Sequence, residues 1–202
     1  MPMIEFLDIC SVFGSRMKAL EVLCVLNNRK AVVRQGFYPH ELTAVEVFCK
    51  KNNLFIEKSR NKVALNDTEH FTNRGRIVSA QDQGLFFVYI SKDELKSVQA
   101  CLSETLGDHY ATGLMLGYPE CCVRFFCEQF KNGNLNPVHK PLNPWTNLIE
   151  RNNDACLLSH FPCSNDCKES ISIAQMNAET LRKADENAAQ EWIAQLAANI
   201  ER

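Results

Sequence analysis

Residues 85–90 read LFFVYI, and this run decides the fold class. Phe86, Phe87, Val88 and Tyr89 are of the β-branched and aromatic types that pack well on a pleated surface. The preceding Gln81-Asp82-Gln83-Gly84 has turn chemistry and joins the run to Arg76–Ser79, a second short apolar segment. Upstream, Leu54–Lys58 and Lys62–Asn66 flank Ser59-Arg60-Asn61 in the same manner, which predicts another hairpin. Four short strands in hairpin order give a small antiparallel sheet. Helical patterns on both sides of it place the chain in the α+β class.

Working outward, the period changes from two to about 3.6. From Ser15 to Asn28, Met17, Leu20, Leu23 and Cys24 form an apolar stripe, with Arg29 and Lys30 suited to the negative end of the helix dipole. Pro39–Asn52 predicts a second helix through Leu42, Val45, Phe48 and Cys49. On the other side of the strands, Ser91 and Glu94 have capping-box spacing. Leu95, Val98, Leu102 and Leu106 are then expected to face the core, with Cys101 beside them. Gly107 interrupts that helix, and Tyr110–Leu116 continues to a stop at Gly117. Asn177–Arg202 reads as one long amphipathic helix with Leu181, Ala184, Ala188, Trp192, Leu196 and Ile200 on one face. The organisation expected is a single α+β domain over residues 1–176, with the cysteine motifs within 91–176, followed by the helix 177–202. That helix packs on its own domain by default; a homo-oligomer formed through it is the alternative.

With 46% apolar residues the chain is able to bury a substantial core. A net charge of −2, from 22 basic and 24 acidic residues, leaves no basic excess of the kind that binds nucleic acid. The N-terminal run carries Glu5 and Asp8 where a secretory signal is basic and then apolar, and no apolar run approaches a membrane span. A cytoplasmic protein is expected. There, ten cysteines point to metal binding, redox chemistry or plain burial instead of a disulfide framework. Cys10, Cys24, Cys49 and Cys101 are read as core.

Two segments stand apart from that background: LGYPECC at 116–122 and HFPCSNDC at 160–167. Pro119 suits the first position of a helix, which puts Cys121 and Cys122 in its first turn. Pro162 precedes Cys163, Ser164 is an N-cap candidate, and Cys167 falls in the next first turn. In both places free amides and the dipole favour thiolate over thiol. His160 supplies a neutral imidazole or a general base. Cys127 and Cys156 are reserves, and Ser170, Asn165, Asp166 and Arg124 are candidates for contacts around the site. The proline-rich stretch Lys131–Asn147, with His139 and Trp145, is expected to be a loop that covers the site or runs over the surface.

LGYPECCVRFF followed by HFPCSNDCKESISIA resembles the uncharacterised prokaryotic family called domain of unknown function 483. Gly117, Tyr118, Pro119, Cys121, Cys122, Phe126, His160, Pro162, Cys163, Ser164, Cys167 and Ser170 carry the resemblance, which covers roughly 95–174. It implies a shared site without an activity.

Three chemistries remain open. Cys121, Cys122, Cys163 and Cys167, with His160 as ligand or base, form a metal site for zinc or an iron–sulfur cluster. Successive helix residues point about 100° apart, so zinc is expected to take one of the vicinal pair with His160, Cys163 and Cys167. A wider cluster accepts both vicinal thiolates on different irons. The second chemistry is a metal-free thiol enzyme with His160 as base. In the third, the protein is a non-catalytic interaction module with a structural metal or buried cysteines. The sequence leaves undecided whether the chain is an enzyme and whether its partner is a small molecule or a protein.

Overall fold

The computed structural model describes residues 5–65, 75–79, 81–134, 136–198 and 200. Asn66, expected to end a strand, and Asn199, Glu201 and Arg202 of the expected tail lie outside these residues. The first layer is helical: α1 (Phe6–Phe13), α2 (Arg16–Leu26) and α3 (Pro39–Lys51), with β1 (Val32–Phe37) between the last two. The strands β2 (Phe55–Lys58), β3 (Lys62–Leu65), β4 (Gly75–Val78) and β5 (Phe86–Ser91) follow. Then come α4 (Glu94–Thr105), α5 (His109–Met115), α6 (Glu120–Lys131), a 3-10 turn over Ile149–Asn153, α7 (Lys168–Ala184) and α8 (Glu186–Ala198). The class is α+β, as expected.

The strands are antiparallel, but neither expected hairpin forms: β2 does not pair with β3, nor β4 with β5. β5 is central, with β1 on one side (Gln35 opposite Val88) and β2 on the other (Ile56 opposite Ile90). β3 and β4 pair with each other as a two-stranded ribbon, which reciprocal backbone hydrogen bonds between Val63 and Leu85 tie to the start of β5. The reason lies in β5 itself: Val88, Tyr89 and Ile90 are all buried. A strand covered on both faces sits at a sheet centre, where both its edges need partners. Turn chemistry beside β5 predicts neither of them, and β1, VVRQGF, carries two polar residues and a glycine that mask its strand character.

On α4 the helical period is as expected and the buried side is reversed. Leu102 is 54% exposed and Leu106 73%, whereas Ala100 is fully buried with Ser97, Cys101 and Ser103. The small side chains allow close approach to Val32, Tyr89 and Leu116. The serines are satisfied within the helix, Ser97 Oγ donating to the Glu94 carbonyl and Ser103 Oγ to that of Gln99. Glu104 extends this face and accepts both Nε and Nη2 of Arg34 at 2.5 Å, as well as the Tyr89 hydroxyl. The cap is Asp93, which accepts the Lys96 amide; Ser91 ends β5 and donates to the Ala31 carbonyl.

The C-terminal helix is long and built in two segments. Asn177 lies within α7, and Asp185, in extended conformation, ends α7 and accepts the Ala188 amide to start α8. Leu181, Trp192 and Leu196 belong to the main core with Phe6, Ile9, Val22 and Leu23, and the Phe6 and Trp192 rings lie 6.4 Å apart. The tail thus completes the N-terminal layer. No helix among the described residues is long and apolar enough to cross a membrane.

Candidate metal centre

Two backbone reversals bring the cysteines together. Gly117 takes a positive φ of 76° that L side chains rarely adopt, ending the turn after α5. Pro119 is then the N-cap of α6, so Cys121 and Cys122 fall in its first turn. α6 is held flat on α5 because Gly113 has no side chain; a Cβ there would come within 2.8 Å of Val123. The second segment is anchored by Leu157, Leu158 and Phe161, all buried, with the Asn177 amide donating to the Leu157 carbonyl. Residues 163–166 form a turn, and α7 starts one turn later than expected, with Cys167 as its N-cap. The loop before it is tied down at this turn: Asn143 Nδ2 and Thr146 Oγ1 donate to the Asn165 carbonyl at 2.6 and 2.9 Å.

The sulfurs of Cys121, Cys122, Cys163 and Cys167 all lie within 4.8 Å of one another. Cys121 to Cys122 is 3.8 Å, Cys121 to Cys167 is 3.8 Å, and Cys122 to Cys167 is 3.6 Å. Four sulfurs bound tetrahedrally to one ion at about 2.3 Å stand about 3.8 Å apart. The vicinal pair therefore does converge on one point. Helix side chains lean toward the N-terminus, so first-turn thiols reach past the helix end toward its axis, where their angular separation matters less.

His160 does not join this group of four. It is buried, and its Nε2 is 2.8 Å from Ser170 Oγ, which in turn lies 3.2 Å from Cys122 Sγ. The imidazole thus reaches the cluster through Ser170. Cys122 also accepts the Cys163 amide at 3.4 Å. Of the other candidates, Asn165 serves the loop and Arg124 pairs with Glu120 at the surface. Cys127 and Cys156 stand apart, Cys156 being buried with its thiol donating to the Leu158 carbonyl. His139 stacks on Phe125, with ring centroids 5.4 Å apart.

Electrostatically Cys122, Cys163 and Cys167 are not equivalent. Burial pushes the Cys122 thiol far up, against the pull of Ser170 and the Cys163 amide. Burial also raises Cys163, to about 11. Burial opposes ionisation of Cys167 as well, but hydrogen bonds from the Ser170 hydroxyl and amide, with Cys122 and Cys121, bring it below its ordinary value. The expectation that both helix starts favour thiolate is thus not met at Cys122 and Cys163, where burial is the largest influence on the thiol. Burial, with Lys30 and Arg151 nearby, depresses His160 to about 3 and keeps it neutral.

Cys122 and His160 also line a cavity of about 840 Å³ between the α2 and β1 side of the molecule and α5 with α6. Lys30 lies on it. Its position at the end of α2 suggests only a dipole partner, but it turns inward to pair with Glu21 and to donate to Ser159 at 2.8 Å. Nothing in the local pattern signals that role.

Residues 88–191 match the family described as Protein of unknown function (DUF483). The chain belongs to this family. The DUF483 region begins in β5 and ends in α8, so it contains all four clustered cysteines, Ser170 and His160. It extends beyond the stretch that carries the resemblance in the sequence, and α1 to α3 lie outside it. No curated protein and no solved structure matches the chain.

Proposed function

We propose that Cys121, Cys122, Cys163 and Cys167 bind a single metal ion, zinc, and that the ion fastens the start of α6 to the start of α7. The observation that carries this reading is the 3.6–3.8 Å spacing among three of the sulfurs, with the fourth in the same group. It matches one tetrahedral ion; a cluster of several irons distributes its thiolates over different atoms and holds them further apart. Four thiolates fill the coordination sphere, so the role is structural, with His160 and Ser170 orienting Cys122 from behind. Among the packed helices α6 rests on α5, and the ion supplies its covalent-strength tie to the core-anchored α7. The proposed protein is a metal-stapled fold whose stapled wall bounds the cavity.

A second reading has one specific observation in its favour. Cys167 is held below the ordinary thiol value, and Cys122 is 3.6 Å away to form a disulfide with it. Purification without added metal followed by elemental analysis separates the two. One zinc per chain and no visible colour supports the staple. Metal-free protein with rapid alkylation of Cys167 supports the dithiol, and inorganic sulfide with two or more irons rejects both.

A further inference from the structure

The cavity is unusual in its charges. Lys18, Lys30, Arg34 and Arg151 all line it, and so do Glu21 and Glu104. Lys30 pairs with Glu21 and Arg34 with Glu104. The two remaining carboxylates on the cavity, Asp154 and Glu41, are each bound by backbone amides at a helix start: Asp154 by those of Arg16 and Met17, Glu41 by that of Tyr38. Their charge is thereby met by helix N-termini. Lys30 and Arg151 meet at one end of the cavity, where Lys30 Nζ donates to Ser159 Oγ and Arg151 Nη2 to the Ser159 carbonyl at 3.1 Å, and both cations act on the buried His160.

That end also has directional groups and an aromatic floor. The Tyr118 ring lies 5.1 Å from Lys30 Nζ and 5.1 Å from the His160 ring. Among the described residues, Glu21 and Ser159 take two of the three N–H donors that a lysine carries. Arg151 lies with its guanidinium 5.0 Å from the Phe161 ring centroid, and Phe161 stacks on Phe126 at 5.8 Å and 5°. Both phenylalanines line the same cavity. A volume of about 840 Å³ is of the size that takes a whole small molecule.

We infer that this cavity binds a small organic anion, its oxyanion set against Lys30 and Arg151 beside Tyr118 and His160, and its apolar body against Phe126 and Phe161. The shared chemistry is a planar or tetrahedral oxyanion on an aromatic or aliphatic frame, which a carboxylate or a phosphate monoester supplies. Lysine and arginine recognise both through charge-assisted hydrogen bonds. This inference goes beyond the metal reading and does not require the ion to be zinc.

Calorimetry on the protein as purified, with metal content measured on the same sample, tests it with three probes: benzoate, phenyl phosphate and the neutral benzamide. At least one anion is expected to bind roughly tenfold or more tightly than benzamide, as loss of a charge-assisted contact entails. Benzoate alone identifies a carboxylate site and phenyl phosphate alone a phosphate site. Arg151→Gln is expected to weaken the anion about tenfold at unchanged metal content. Because removing Lys30 strands Glu21, the paired change Lys30→Met with Glu21→Gln is the second variant and is expected to act likewise. Metal-replete protein that binds neither anion, or binds benzamide equally well, overturns the inference and leaves the staple standing. Anion binding by protein that holds no metal supports the inference and rejects the staple.

Discussion

Replacing Ser170 by alanine removes one hydroxyl from the middle of the line Cys122, Ser170, His160. Ser170 is fully buried, its Oγ is 3.2 Å from the Cys122 sulfur and 2.8 Å from His160 Nε2, and His160 is 5% exposed. Water therefore does not replace the lost partner, and a buried ring nitrogen left unsatisfied costs about 1–3 kcal/mol. For a chain of this size that is a fall of about 2–12 °C in melting temperature. The second effect is on the ion. A group that orients a ligand from behind typically contributes about 10–100-fold in metal affinity, so competition against a chromophoric chelator should show a loss in that range. Both readouts are needed, because a purely structural serine lowers the melting temperature of metal-free and metal-loaded protein alike and leaves the affinity in place. An affinity within twofold of the parent, with unchanged melting, refutes the line of contacts.

Other consequences follow from the same structure. Cys122 and Cys163 are held as thiols near neutral pH, so an ion must displace at least two protons, and affinity should fall by at least about 100-fold per pH unit on acidification; titration calorimetry in buffers of different ionisation heat counts the protons, and release of fewer than two contradicts the burial argument. His160, depressed from 6.5 to about 3 in the fold, favours the folded state fully above pH 6.5, and that contribution is lost as pH falls toward 3. Its imidazole resonances should stay fixed between pH 7.5 and 5; a midpoint near 6.5 shows that the ring is solvated. On α4, Leu102→Gln should change stability by no more than about 0.5 kcal/mol, while Ala100→Leu should cost about 1–3 kcal/mol through overpacking. Denaturant titration showing the reverse order restores the leucine face to the core.

How far the sequence reveals this depends on whether a signal is local. Helices are found over the stretches that start at Ser15 and Pro39, where the apolar spacing predicts them; Ser15 caps α2 and Pro39 opens α3, because caps and prolines act on adjacent backbone. Strand pairing is not local: the chain does turn after β2 and before β5, but neither turn closes a hairpin, and β5 pairs with β2 and with β1, the latter separated from it by the whole of α3, because its two buried faces need cover. On α4 periodicity identifies a helix, but the choice of inward face depends on Arg34 and Tyr89 from two other strands, which draw Glu104 in. The four cysteines are legible because proline, glycine and cysteine sit within a few residues of one another in the first motif, and proline and cysteine in the second. Whether adjacent thiols reach a common point is a matter of side-chain tilt at a helix end, which angular spacing alone misjudges. Lys30, Tyr118 and Arg151 meet only through the fold, and their cavity has no sequence signature.

X-ray absorption at the metal edge of the protein as purified tests the central claim most directly. The account predicts four sulfur neighbours at about 2.3 Å, no nitrogen or oxygen in the first shell and no second metal nearby. A histidine nitrogen among the nearest neighbours, or a metal–metal distance in the spectrum, contradicts it.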